Sequence, residues 1–260
     1  DHVLVSAQAI TSGNFTSAGV AGSQTIVSYS DVAMSLVTGK TELVNSVFAA
    51  NGTVSHSQTT RFTASTDEKT GVVTFSQTSQ TTADITEFDS YDNPVRESVI
   101  TMNYNAATGA FDIFSEAKAI HNTSFDVFGR VLTSETTNFT DSSMDTTKIK
   151  SIDKATITSY DPWGNALNQQ VDTYKADGTT LSTSKTVINE YTDPVGRALG
   201  RATKTTVDTY TSIDRPADKS NMTKESVTNS TYNTQGFATS QITVSKTYSA
   251  GALISITESD

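Results

Sequence analysis

Apolar side chains recur two positions apart in several stretches of this chain. Phe111 and Ile113, Val73 and Phe75, Ala155 and Ile157, Ile242 and Val244, and Ile254 and Ile256 are each separated by one polar residue. That is the period of a half-buried β-strand, whose successive side chains point to opposite faces. Elsewhere the alternation is Thr against Ser. Between Gly- and Pro-containing breaks the chain alternates shorter runs, such as 131–138, with longer ones, such as 144–159. A run of about sixteen residues exceeds the usual strand limit of roughly 10, so the longer runs are expected to bend, bulge or split. Two segments also fit a helix. Residues 112–120 would place Ile113, Phe114, Ala117 and Ile120 on one face, and residues 31–37 would make a shorter helix. The first occupies a place where neighbouring stretches are rich in Thr, which favours strand.

The breaks repeat. An aromatic residue stands four positions before a Gly at Phe15/Gly19, Phe48/Gly52, Phe125/Gly129, Tyr160/Gly164 and Tyr232/Gly236. Tyr191 and Gly196 are one residue further apart, with Asp193 between them, and Tyr91-Asp92-Asn93-Pro94 takes the same place with Asn and Pro for the Gly. The aromatic positions differ by 33, 43, 34, 35, 31 and 41, a mean of about 36. A second series lies between them: Tyr104 to Gly109, Phe139 to Ser143, Tyr174 to Gly178, Tyr210 onward and Tyr248 to Gly251. It extends back to Thr66-Gly71 and to Tyr29-Gly39. Gly, Asn, Asp and Pro supply the backbone angles of tight reversals. The expected fold is therefore all-β: a repetitive antiparallel sheet, spiral or solenoid-like, of about seven two-turn units, forming one array over residues 1–260.

Composition supports sheet over helix. The chain holds 46 Thr and 33 Ser, against 35% hydrophobic and 18% charged residues, and β-branched Thr suits a pleated, half-exposed surface. A net charge of -10 opposes nucleic acid, whose phosphates need clustered Lys and Arg. No apolar run approaches the roughly 20 residues of a membrane-spanning helix. The absence of Cys removes disulfide and thiolate chemistry. With Asp1 first, the chain is expected to be a processed or excised piece. Its outermost apolar runs, 1–5 and 252–256, read as strands expected to pair with further repeats or with another copy.

Candidate chemistry is sparse. His2, His56 and His121 are far apart with no pairing spacing, and there is no Gly-x-Ser-x-Gly nucleophile elbow. Asp126, Asp161 and Asp193 recur at nearly one place in the unit, which points to carboxylates that cap turn N–H groups rather than to a catalytic pair. Calcium is the alternative use of those carboxylates, although neither an EF-hand loop nor the Gly-Gly-x-Gly-x-Asp nonapeptide is present. The expectation is no enzyme and no cofactor. Tyr side chains and Trp163 at the turns are expected to pack over adjacent hairpins, with stacking on sugar rings as the alternative.

Phe125-Asp126-Val127-Phe128-Gly129-Arg130-Val131 and Tyr160-Asp161-Pro162-Trp163-Gly164-Asn165-Ala166-Leu167 resemble the Tyr-Asp turn of the YD repeats of Rhs proteins and teneurins. Tyr191-Thr192-Asp193-Pro194-Val195-Gly196-Arg197 and Tyr91-Asp92-Asn93-Pro94-Val95-Arg96 are looser versions. The resemblance covers about residues 85 to 240. It implies a continuously hydrogen-bonded sheet that coils into a spiral, in family members a hollow shell around a cargo, on secreted or cell-surface proteins. This chain lacks an Rhs-type self-cleavage segment, and its unit holds two turns, so an open spiral or fibre segment is expected. The function that follows is an extracellular structural repeat that builds a filament or surface layer by self-association. A carbohydrate-binding adhesin module, or a shell segment of a toxin-encapsulating protein, is the alternative.

Overall fold

The computed structural model of the chain describes residues 7–31, 33–49, 52–215, 220–233 and 238–259. Among these described residues the fold is all-β, with fifteen strands in one open antiparallel sheet whose order is the order of the chain. The strands are β1 (Ala7–Gly13), β2 (Ser23–Tyr29), β3 (Val37–Phe48), β4 (Val54–Thr66), β5 (Val73–Phe88), β6 (Pro94–Asn105), β7 (Ala110–Phe125) and β8 (Val131–Phe139). They continue as β9 (Ile149–Tyr160), β10 (Ala166–Lys175), β11 (Leu181–Glu190), β12 (Lys204–Tyr210), β13 (Met222–Tyr232), β14 (Ala238–Ser249) and β15 (Ala252–Ser259). Among the described residues one short α-helix, α1 (Pro194–Ala198), interrupts the run. The connections fall where the two series of breaks lie. The first run, 1–5, and Gly236 lie outside the described residues, whereas 252–256 lies within β15.

Local differences from the sequence reading have physical causes. Residues 112–120 are extended within β7, which runs sixteen residues without a break. The equally long β5 accommodates its length through register shifts against β4 at Arg61/Phe62 and against β6 at Ile85/Glu87 and Glu87/Phe88. The run 144–159 splits, with a single 3-10 turn at Thr146–Lys148 leading into β9. No helix forms over the described residues 31 and 33–36, where the Asp31 carboxylate takes the N–H groups of Ser35 and Leu36, and Val37 already begins β3. Gly39 is no turn residue. It sits inside β3 opposite Ser28, and a Cβ there would stand 2.9 Å from the Phe62 carbonyl.

The strands divide into two compact units: residues up to Ile120 with Asn138–Lys148, and His121–Thr137 with residues from Ile149 onward. Neither has a conventional apolar centre. Among the described residues the buried apolar side chains are Ala117 and Phe139 in the first unit and Tyr210 and Met222 in the second. The first unit adds small ring clusters. The Lys40 ammonium lies 4.1 Å from the centre of the Phe62 ring and 5.0 Å from that of Phe75, and Tyr104 meets Phe111 edge-on at 5.4 Å.

Hydroxyl pairs do much of the cross-strand packing. Thr81 and Thr101 are direct partners with oxygens 3.0 Å apart, and Ser226/Ser245 and Thr228/Thr243 repeat the arrangement at 2.9 Å. Such pairs contribute about 0.2–1 kcal/mol each, which explains how a Thr-rich chain holds together with so little apolar burial. Met222→Ala, at a buried site, is expected to lower stability by about 2–4 kcal/mol. Ile254→Ala, exposed on β15, is expected to change it by less than about 0.5 kcal/mol. Urea denaturation of the two variants checks the contrast.

Candidate functional site

Five connections share one backbone design. The first residue of each turn, Thr16, Ala49, Asp89, Asp126 or Asp161, donates its N–H to the carbonyl of the fifth, Val20, Thr53, Asn93, Arg130 or Asn165, at 2.8–3.0 Å. The fourth residue, Gly19, Gly52, Asp92, Gly129 or Gly164, returns its N–H to the carbonyl of the first at 2.9–3.2 Å. This is a three-residue hairpin loop closed by a left-handed residue. The fourth position has φ of 78°, 89°, 66°, 76° and 89° in the five turns, which accounts for its four glycines.

In three of these turns an Asp occupies the first position and its carboxylate completes the loop. Oδ1 of Asp89 accepts from the Tyr91 and Asn93 amides at 2.8 and 2.9 Å. Asp126 repeats this with Phe128 and Arg130 at 2.9 and 3.0 Å, and Asp161 with Trp163 and Asn165 at 2.9 Å each. Oδ2 takes the side chain of the fifth residue: Asn93 at 2.9 Å, Arg130 at 2.6 Å, Asn165 at 3.1 Å. The turn at 89–93 therefore begins on Phe88-Asp89, three residues before the Tyr91-Asp92 pair that the spacing suggested. Tyr91 holds the third position and Asp92 the glycine position. The signal was present in the sequence: Phe88-Asp89-Ser90-Tyr91-Asp92-Asn93 aligns position by position with Phe125 to Arg130 and with Tyr160 to Asn165.

In the second unit two of these turns are tied together. Arg130 binds the Asp126 carboxylate of its own turn, and its Nη1 donates to the Asp161 carbonyl of the next at 3.1 Å. Its guanidinium also lies 4.4 Å from the Tyr160 ring centre and 5.0 Å from that of Phe128. The Tyr160 hydroxyl donates back to the Val131 carbonyl, and Tyr232 does the same to Ala202 at 2.8 Å. Asp161 Oδ2 additionally accepts from Arg197 Nε at 3.0 Å, while Asn165 donates to the Arg197 carbonyl at 2.8 Å. Burial by itself would raise the Asp161 pKa, but the Asn165 amide, Arg197, the Asn165 side chain and the Trp163 amide outweigh it and hold the carboxyl at about 2. Burial pushes the Tyr160 and Tyr191 phenols up.

The Tyr191 segment departs from this design. Asp193 caps α1, accepting from the Gly196 amide at 2.5 Å, and Pro194 occupies the first helical turn. Gly196 is required here by close approach rather than by a positive φ. A Cβ would stand 2.9 Å from the Arg201 carbonyl and 3.1 Å from both Asp193 Oδ2 and the Tyr232 ring. The turn aromatics also divide. Tyr160 bonds back to β8 and Tyr232 to the connection before β12, whereas Phe15, Tyr91, Phe128 and Trp163 are exposed.

Sequence reasoning missed a second polar cluster in the same unit. Lys154, Asp172, Ser184, Tyr210 and Met222 stand in one cross-strand row from β9 to β13. Asp172 Oδ1 accepts from the fully buried Ser184 hydroxyl at 2.5 Å and from Arg215 Nη2 at 3.0 Å, and its Oδ2 accepts from Gln170 at 2.7 Å. Arg215 also donates to the Ser184 oxygen, which ties this arginine, five residues beyond the end of β12, to β11. Nothing in the turn pattern marks this cluster, because its partners are 12 to 43 residues apart. His56 instead pairs with Asp84 on the neighbouring strand, Nδ1 to Oδ1 at 2.5 Å. Among the described residues no three His, Asp or Glu side chains converge as metal ligands.

Asp161→Ala is expected to destabilise by about 2 kcal/mol, since it takes the buried carboxylate away from the Trp163 and Asn165 amides and from Arg197. The Asp161 contribution is fully present above its ordinary pKa of 3.8 and is lost as pH falls through about 2. Asp161→Asn should therefore flatten the low-pH limb of a stability-against-pH curve. Arg215→Met is expected to cost about 3 kcal/mol by stranding Asp172, and Asp172→Leu/Arg215→Met to recover most of it; urea titration distinguishes the two outcomes. No family model matches the chain, and no curated protein matches it.

Proposed function

We propose that this chain is an extracellular structural repeat, a stretch of sheet that builds a filament or cell-surface layer. The observation that carries the reading is that every strand pairs with its neighbours in the chain. A two-strand unit can then be added without redesigning the units before it, as in arrays whose stability is a sum over neighbours. Three further features support it. Cross-strand hydroxyl pairs and main-chain bonds provide cohesion at little apolar cost. The three Asp turns are locked from within, which sets the register of the hairpins they close. The Phe-Asp and Tyr-Asp turns resemble YD repeats, and a spiral course of the sheet and a location outside the cell rest on that resemblance.

Extension proceeds by strand addition, supplied either by further repeats of the same chain or by another copy. Exposed main-chain N–H and C=O groups on an outer strand are the attachment points. Light scattering and electron microscopy of the purified chain, and of a tandem duplicate, test the proposal. Elongated particles whose length scales with the number of units are expected. A compact, monodisperse monomer whose length does not grow on duplication would refute it, and closed hollow particles would favour the shell reading instead.

A further inference from the structure

We propose that Lys246 and Asp208 condense into a side-chain amide, with Glu225 between them as the proton carrier, so that β12 and β14 become covalently tied across β13. The three residues stand in one row. Asp208 is the direct partner of Glu225, and Glu225 of Lys246, so all three side chains leave the same face of the sheet. Lys246 Nζ meets Glu225 Oε1 at 2.7 Å. Asp208 Oδ1 is buried and accepts no hydrogen bond, which is rare for a buried polar atom and calls for a reason. Asp208 and Lys246 are two strands apart, with roughly 10 Å between their backbones. The flexible four-carbon stem of Lys246 crosses most of that gap by lying over Glu225.

The row is sheltered. Buried Tyr210 and Met222 flank it on one side, and the paired Val227 and Val244 on the other. Among the Lys–Glu pairs of the described residues this one is the least exposed, with Glu225 at 14% and Lys246 at 37%. Lys204 stands in a similar row between Glu190 and Asn229. There Glu190 is 47% exposed, and the pair remains a solvated ion pair. Glu225, aided by Tyr248 and Asp208, holds the Lys246 pKa up, so the lysine starts as an ammonium. One proton passes to Glu225 along the 2.7 Å contact. The freed amine attacks Cγ of Asp208, whose Oδ2 accepts from the Tyr210 hydroxyl at 3.3 Å. Glu225 delivers its proton to Oδ1, a second proton follows from the nitrogen, and Oδ1 leaves as water. One ammonium and one carboxylate give one amide and one water, and Glu225 ends as the carboxylate it was. Holding both partners in one row supplies the effective concentration that this condensation requires.

Intact-mass spectrometry of the purified, folded chain is expected to give a mass one water below that of the sequence, and proteolytic mapping a branched peptide that joins Lys246 to Asp208. Glu225→Gln, Asp208→Ala and Lys246→Arg should each restore the full mass. Lys204→Arg, in the solvated row, should leave the water loss in place. Lys246→Arg keeps the ion pair with Glu225, so its circular dichroism should match the parent chain and separate loss of the link from loss of the fold. A parent chain of full mass would overturn the proposal. A water loss that survives Lys246→Arg would also overturn it and mark an aspartate cyclised onto its own backbone, as would a loss that survives Glu225→Gln. None of these readouts depends on whether the chain forms filaments.

Discussion

Main-chain hydrogen bonding between antiparallel neighbours is the interaction on which this protein rests. In most domains strand pairing is seconded by a buried apolar layer, but among the described residues here only a handful of apolar side chains are fully buried. The sheet must therefore satisfy its own polar groups strand by strand, and its side chains must not compete with the ladder. Thr and Ser meet that requirement. They stand across from one another, trade hydroxyl bonds outside the main-chain ladder, and leave the backbone geometry undisturbed.

A ladder of this kind has no core to correct a slipped register, so register must come from the turns. The Asp loops supply it. Each fixes five residues through main-chain bonds and then uses both carboxylate oxygens on groups that the turn itself exposes. Where the first residue is Ala49, the same two main-chain bonds form without the carboxylate, so Asp reinforces a closure that the left-handed fourth residue already permits. The clamp through Arg130 and Arg197 extends this from single turns to neighbouring ones.

The sheet was legible in the sequence because its signals are local. Alternating pairs such as Phe111/Ile113, the glycines at positive φ and the aromatic markers all act within a few residues, and they located the connections between strands. The spacing rule failed where a turn kept the backbone path and changed the residue that signals it. At 89–93 Asp92 takes the glycine position, so Tyr91-Asp92 imitates a turn start that belongs to Phe88-Asp89. At 191–201 an aromatic-to-Gly spacing one residue longer surrounds a short helix, whose glycine answers to crowding by Arg201 and Tyr232. The Asp172–Ser184–Arg215 cluster was invisible, because Asp172 on β10, Ser184 on β11 and Arg215 beyond the end of β12 are common residue types that carry no mark until strand register and the connection bring them together.

Strand direction alternates along the sheet, and turns of the Asp type recur only after two strands have passed. Duplication or loss of one strand would reverse every strand after it and send each later loop to the opposite margin, whereas a change of two strands leaves orientation and margins intact. Lineages of this protein should therefore differ in length by whole hairpins, and the margin that carries the Asp loops should keep its character however many hairpins are gained or shed.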